Sequence, residues 1–220
     1  MKRIAALLLV LALLLPCLGM ADTLWYCPKC GRPNNDNFCP TDGTARPATG
    51  ASNATALTYS DYAREPALLN QKMATRTGPG TLYDEPGTFL SAGTQVLALS
   101  RAYDDRNGIW WIQVEFTSGG ARMRAYTGAK RFSNLNLSAL PQDLLMGACT
   151  LLRSTAAYYG PGPAYSLMKN SVPAGTSAQI YGLEFGGDDD YLLVEFYDAF
   201  QGCSRRAWVP LGSVSSCTFY

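Results

Sequence analysis

The sequence predicts a mainly β protein: two small β-barrels in tandem, preceded by a cysteine knuckle and an export segment. Three observations carry this reading. The first 21 residues have the make-up of a secretory leader. Residues 27–43, CPKCGRPNNDNFCPTDG, hold cysteines in a knuckle pattern. The remainder repeats itself, and its repeated parts are short runs of β-branched and aromatic residues.

The leader comes first. Lys2 and Arg3 form a positive start, Ile4 to Leu15 is apolar, Pro16 ends the run, and Gly19 to Ala21 offers small residues for cleavage. That pattern reads as a signal peptide over residues 1–21. The alternative is an uncleaved anchor, since Ile4 to Ala21 is nearly long enough to span a bilayer. Either way the basic start leaves the remainder outside. The expected location is secreted or extracytoplasmic, associated with the cell envelope. A membrane is a partner only if the segment is retained. LLPC, ending at Cys17, loosely resembles a lipoprotein box, but Pro16 fits that box poorly.

A mature chain of about 200 residues suits one domain or two small ones. The formal net charge is +1, so no polyanion, and no nucleic acid, is implied as partner. The chain has no histidine. That removes Ser-His-Asp triads, Cys-His peptidases and His-ligated metallohydrolases. Paired carboxylates remain as a glycosidase option. The clusters are Asp84-Glu85, Asp104-Asp105 and Asp188 to Asp190, each beside glycine, proline or asparagine. They read as solvated turn charge, so no catalytic residue is assigned and no enzyme is expected.

Six cysteines remain after the leader's Cys17. An even count in an exported chain would suggest disulfides, but the spacing argues otherwise. Cys27 and Cys30 lie two apart in a tight turn with Pro28 and Gly31, and FCPTDG repeats the knuckle with Pro40 and Gly43. Thiolates hold zinc strongly, and a carboxylate is an acceptable fourth ligand. Cys27, Cys30, Cys39 and Asp42 are therefore the expected ligands of a structural zinc. The competing outcome is a Cys27–Cys30 or Cys30–Cys39 disulfide. A thioredoxin-like redox motif would need a βαβ context that this stretch lacks. YCPKCGRPNNDNFCPTDGT resembles the small bacterial zinc ribbons, whose form is CPxCG, a polar loop, then FCxxCG. The likeness covers about 20 residues, here 25–44. Asp42 departs from it, which implies a weaker, more acid-labile site. So short a segment buries no core, and the metal would supply its folding energy.

Residues 45–66 read as a flexible linker, because TARPATGASNATALTYSD is rich in Ala, Thr, Ser and Gly. The repeat follows. GPGTLY (Gly78 to Tyr83) returns as GPGPAY (Gly160 to Tyr165), AGT at Ala92 returns at Ala174, and RAY at Arg124 returns as RAW at Arg206, all at an offset of 82. VEF at Val114 returns at Val194, offset 80, which a two-residue change in loop length explains. TQVLAL, WWIQVEF and MRAYTG read as strands of one copy, and SAQIYGL, YLLVEFY and RRAWVPL as those of the other. RNG at Arg106 to Gly108 and Gly119-Gly120 read as turns. LSALPQDLL (Leu137 to Leu145) reads as a helical turn joining the copies. A unit of about 65 residues with five or so strands predicts a small barrel.

The motif order resembles the bacterial SH3 (SH3b) family. The carriers are TRTGPGTLY, AGTQV, WWIQVEF and RAYTG in one copy, and LRSTAAYYGPGPAY, AGTSAQI, YLLVEF and RAWVP in the other. The second copy has Asp190-Tyr191 where the first has Trp110-Trp111. The resemblance implies SH3-like domains over residues 67–137 and 147–217. It implies binding of cell-wall peptide or of a partner's peptide segment, in a groove lined by Tyr83, Trp110 and Tyr126 in one copy and Tyr159, Tyr165 and Trp208 in the other. Trp110 and Trp111, being adjacent on a strand, face opposite ways. Terminal strands lie close in such a barrel, which implies a Cys149–Cys217 disulfide, with Cys203 as rival partner. The function expected is an exported binding or adaptor protein. The alternative is a structural protein whose barrels pack on each other and bind nothing small.

Overall fold

The computed structural model describes residues 60–220 and the short strands β1 (Trp25–Tyr26) and β2 (Pro33–Asn34). The chain divides into two compact units, Met1–Ala56 and Leu57–Tyr220. In the first unit β1 and β2 pair antiparallel, Trp25 opposite Asn34 and Tyr26 opposite Pro33. The leader, the ligand set Cys27, Cys30, Cys39 and Asp42, and most of the linker lie outside the described residues.

The second unit is mainly β, built from antiparallel sheets. Copy one runs β3 (Glu65–Leu68), β4 (Met73–Ala74), β5 (Phe89–Leu90), β6 (Gln95–Asp104), β7 (Ile109–Ser118) and β8 (Ala121–Gly128). Its main sheet has the order β3-β6-β7-β8, and β4 pairs with β5. Two 3-10 turns, Ala129–Arg131 and Leu137–Ala139, lead out of it. Copy two runs β9 (Gly147–Leu151), β10 (Ser177–Phe185), β11 (Asp190–Asp198), β12 (Cys203–Pro210) and, past a 3-10 turn, β13 (Val214–Phe219). Its sheet order is β12-β11-β10-β9-β13. The chain therefore passes from one edge of this sheet to the other across the single 3-10 turn Leu211–Ser213.

The duplication extends to the register. Glu65 faces Ala98 as Gly147 faces Ile180. Met73 faces Leu90 as Thr155 faces Val172, and Leu69 faces Phe132 as Leu151 faces Val214. Arg76 faces Tyr126 as Tyr158 faces Trp208. Even the bulge between Ala98 and Ser100 returns between Ile180 and Gly182. The VEF offset also has its cause. Tyr103 faces Trp110, whereas Phe185 faces Asp190, so the connection into β11 is two residues shorter. The next hairpin restores them: Ser118 faces Ala121 across Gly119-Gly120, whereas Asp198 faces Cys203 across four residues. Gly119 and Gly120 take φ of 58° and 82°, the two left-handed residues of a tight hairpin turn.

Each copy has its own core. Ile112, Val114 and Phe116 of β7 pack with Ala98, Leu90, Leu69 and Phe132. Leu192, Val194 and Phe196 of β11 pack with Ile180, Val172 and Leu151. Alternation would leave the other face of each strand in water, yet Trp111, Gln113 and Glu115 are buried as well. On that second face Glu115 meets Tyr165 of the other copy, Gln113 meets Tyr126, and Trp111 packs with Ala102 and Tyr126 of its own copy. The segment read as the end of a linker is also bound: the Ser60 N–H donates to the Leu183 carbonyl (2.9 Å), and the Leu183 N–H donates to Ser60 Oγ (3.0 Å). Tyr62 packs beside Tyr191, Leu193 and Trp208, and this apolar contact holds a stretch whose composition suggests freedom.

Candidate functional site

The contact between the copies is built by reciprocal exchange. Tyr83 of copy one donates its hydroxyl to Glu195 Oε2 of copy two (2.7 Å), and Tyr165 of copy two donates to Glu115 Oε2 of copy one (2.7 Å). The backbone follows: Tyr83 bridges Ser204, and Arg122 bridges Tyr165. Each carboxylate is held within its own copy by an arginine, Arg124 Nε to Glu115 (2.8 Å) and Arg206 Nε to Glu195 (2.8 Å). Arg206 Nη1 also donates to Asp143 Oδ2 (2.8 Å) and to the Tyr126 hydroxyl (2.9 Å), and its guanidinium lies 3.7 Å from the centre of the Tyr181 ring. Arg124 reaches Glu184 (2.9 Å) and lies over Tyr62 and Trp208. Burial pulls the Arg206 pKa down, but Tyr126, Asp143 and Glu195 lift it well above the ordinary value. Burial lifts the Glu115 carboxyl, yet hydrogen bonds from Arg122, Tyr165 and Arg124 hold it at about 2, below the usual 4.5.

This geometry explains the repeated GPG-x-x-Tyr motif. A Cβ on Gly78 would fall 2.0 Å from the Tyr83 ring, and one on Gly160 would fall 2.1 Å from the Tyr165 ring. Glycine lets each ring lie flat on its own turn, and the hydroxyl then reaches across to the other copy.

The six aromatics expected to line grooves are therefore distributed as follows. Tyr83, Tyr126, Tyr165 and Trp208 stand in or beside the contact between copies; Tyr126 and Trp208 are each 1% exposed and Tyr165 is 7% exposed. Tyr159 is half-buried against both cores. Trp110 lies apart, half-buried against the Tyr103 ring (centroids 5.0 Å apart) and under Arg101. Trp111 points the other way and is buried, as neighbours on a strand must.

An open cleft does occur in copy one, between the loop that carries β4 and β5 and the ends of β7 and β8. Its volume is about 700 Å³. Phe89, Ile109 and Trp111 supply apolar wall, and Lys72, Lys130 and Arg131 supply charge. The Trp111 indole N–H is buried and has no acceptor among the described residues. Lys72 lies over the Phe89 ring at 5.1 Å. Sequence reading passed over Lys72, Phe89, Ile109, Lys130 and Arg131 as site residues. The signal was in the repeat: at offset 82, Lys72, Lys130 and Arg131 correspond to Ser154, Gly212 and Ser213.

The remaining chemistry-bearing groups are quickly placed. Asp104 accepts from Arg106 N–H (3.2 Å) and from the Asn107 amide (2.7 Å), closing its own turn. Asp84 faces Arg205 (3.6 Å). Asp188 and Asp189 are exposed beside Gly187. Cys149 and Cys217 face each other across β9 and β13, both buried. A hydrogen bond with Cys217, together with burial, pushes the Cys149 thiol well above the ordinary thiol range. Cys203, half-buried, opens β12 opposite Asp198.

Compared with protein-family models, with curated proteins and with solved structures, the chain matches none significantly.

Proposed function

We propose that this is an exported binding protein of the cell envelope, made of a zinc-ribbon knuckle and two SH3-like barrels, of which copy one carries the ligand. The cleft of copy one is the observation that supports this reading most directly. It has an apolar aromatic wall, unpaired cations and a volume of about 700 Å³, within the usual size range of ligand pockets. In copy two, Tyr158 and Tyr191 stand at the positions of Arg76 and Trp111 and pack edge to face, centroids 5.9 Å apart. The shared strand order, the shared bulge and the return of each chain to its first strand favour an SH3-like barrel for each copy.

The metal proposal rests on donor chemistry and on one pairing. Cys27 and Cys30 lie in sequence between Tyr26 and Pro33, which pair. Three thiolates and a carboxylate make a donor set that fits zinc. Cys27, Cys30, Cys39 and Asp42 would hold the ion, which would act structurally.

A second reading, a structural protein whose barrels serve each other, is favoured by the reciprocal contact of Tyr83 with Glu195 and Tyr165 with Glu115. Sedimentation of the purified mature chain with insoluble peptidoglycan separates the two readings. Co-sedimentation above a matched cellulose control is expected. A chain that stays in solution, and that captures no peptide from the libraries described below, would favour the structural reading.

A further inference from the structure

The two copies act as an internal control on which residues the fold needs. Their four shared strands pair in the same register, at an offset of 80 within β11 and 82 elsewhere, and Arg76 faces Tyr126 as Tyr158 faces Trp208. Yet Lys72, Arg76, Lys130 and Arg131 of copy one are replaced in copy two by Ser154, Tyr158, Gly212 and Ser213. The same architecture forms without those cations, so their gathering at one cleft is not a requirement of folding.

Their use within copy one is unequal. Arg76 is occupied: its guanidinium donates to the carbonyls of Thr81 (3.1 Å) and Tyr83 (2.8 Å) and pairs with Glu85. Lys72, Lys130 and Arg131 make no ion pair among the described residues, and no carboxylate lines the cleft. The second observation is independent of charge. Trp111, Phe89 and Ile109 wall the cleft with apolar surface. In copy two Tyr191, at the place of Trp111, packs edge to face with Tyr158, which stands at the place of Arg76.

From the unpaired cations, the missing carboxylate and the apolar wall beside them, we infer that the cleft of copy one takes a carboxylate carried on a short peptide. The inference rests on the binding function proposed above and names its ligand chemistry. Lys130 and Arg131 neutralise the carboxylate, and Trp111, Phe89 and Ile109 cover apolar peptide surface. Three cations and a chain of net charge +1 suit one or two negative charges better than a polyanion. The carboxylate can come from a peptide C-terminus or from an acidic side chain.

The test uses the full mature chain, immobilised, and three randomised pentapeptide libraries. One has neutral side chains and a free C-terminal acid. One is amidated and carries a single Glu. One is amidated and neutral. At least one carboxylate library should be retained about tenfold more than the neutral amide. The arm that is retained assigns the source. Lys130→Gln with Arg131→Gln should bring retention down to the neutral level. Arg153→Gln, a charge removal in copy two, should leave it unchanged. A thermal melt of the Lys130/Arg131 variant should match the parent's, which separates lost capture from lost fold. Equal capture of the neutral library, or capture untouched by the Lys130/Arg131 variant, overturns the inference. If the chain sediments with peptidoglycan but ignores carboxylates, this inference fails and the binding reading stands. If it captures neither, both fail.

Discussion

Replacing Arg206 with methionine tests the contact between copies most severely. The Arg206 side chain is 4% exposed and pairs with Asp143 Oδ2 and Glu195 Oε2, each at 2.8 Å, whose side chains are 4% and 19% exposed. Methionine roughly fills the stem's volume but leaves two carboxylates facing an apolar neighbour. Removing one partner of a buried ion pair costs about 3–5 kcal/mol, because the other charge stays behind unpaired. The lost stacking on Tyr181 adds roughly 1–2 kcal/mol at most. Against a total stability of about 5–15 kcal/mol for an ordinary domain, this is close to the whole margin. Urea unfolding followed by tryptophan fluorescence measures it. The midpoint should fall by at least half, with little change in slope. Adding Asp143→Leu and Glu195→Leu should recover most of the loss, since an apolar cluster of similar volume replaces a buried ion network at little net cost. Arg124→Met, at the matching place in copy one, should behave alike. A loss below about 1 kcal/mol for Arg206→Met would mean that the cluster is solvated and that the copies are not held together by it.

Three further outcomes are expected. Glu115 titrates at about 2 when folded and near 4.5 when unfolded, so its ion pairs contribute fully above pH 4.5 and are lost as the pH falls toward 2. The parent should lose about 3 kcal/mol through that window, and Glu115→Gln should flatten the slope; equal slopes would refute the coupling. Tyr220 N–H donates to the Met146 carbonyl, and counting inward by alternation makes Cys149–Cys217 a non-hydrogen-bonded pair. Cα atoms in such pairs lie about 4.5 Å apart, which a disulfide can bridge. The mature protein made in an oxidising compartment should yield that cross-linked peptide on mapping, and its reduction should cost roughly 2–4 kcal/mol; a Cys203–Cys217 peptide would show the pairing wrong. For the knuckle, Asp42→Cys should hold zinc longer against a chelator and Asp42→Ala more briefly, because carboxylate oxygen is the harder and weaker donor. Identical zinc release rates for both variants and the parent would remove Asp42 from the site.

The strands were legible because their residues obey local rules. TQVLAL, WWIQVEF, MRAYTG and their repeats fall within β6, β7, β8, β10, β11 and β12 except for Thr94 and Leu211 at two ends, and the paired glycines fall where the hairpin needs left-handed backbone. The turn joining the copies appears as the 3-10 turn Leu137–Ala139. β13 was harder to see, because VSSCTF is a weak strand sequence held by pairing with β9. What no local rule displays is a strand face covered by a distant part of the chain. Glu115 in VEF reads as an outward, solvated position, and its partner Tyr165 lies 50 residues away. The aromatic of GPG-x-x-Tyr reads as a ligand platform, because an exposed tyrosine beside a glycine turn has that look in one copy alone. Two copies change the inference. When a duplicated module packs on its twin through the same face, every residue that both copies share on that face is consumed by the contact: Tyr83 and Tyr165, Glu115 and Glu195, Arg124 and Arg206. Their recurrence marks the contact between the copies. A site for anything else has to lie where the copies differ. In this chain the copies differ at Lys72, Trp111, Lys130 and Arg131, around the cleft that copy one leaves open.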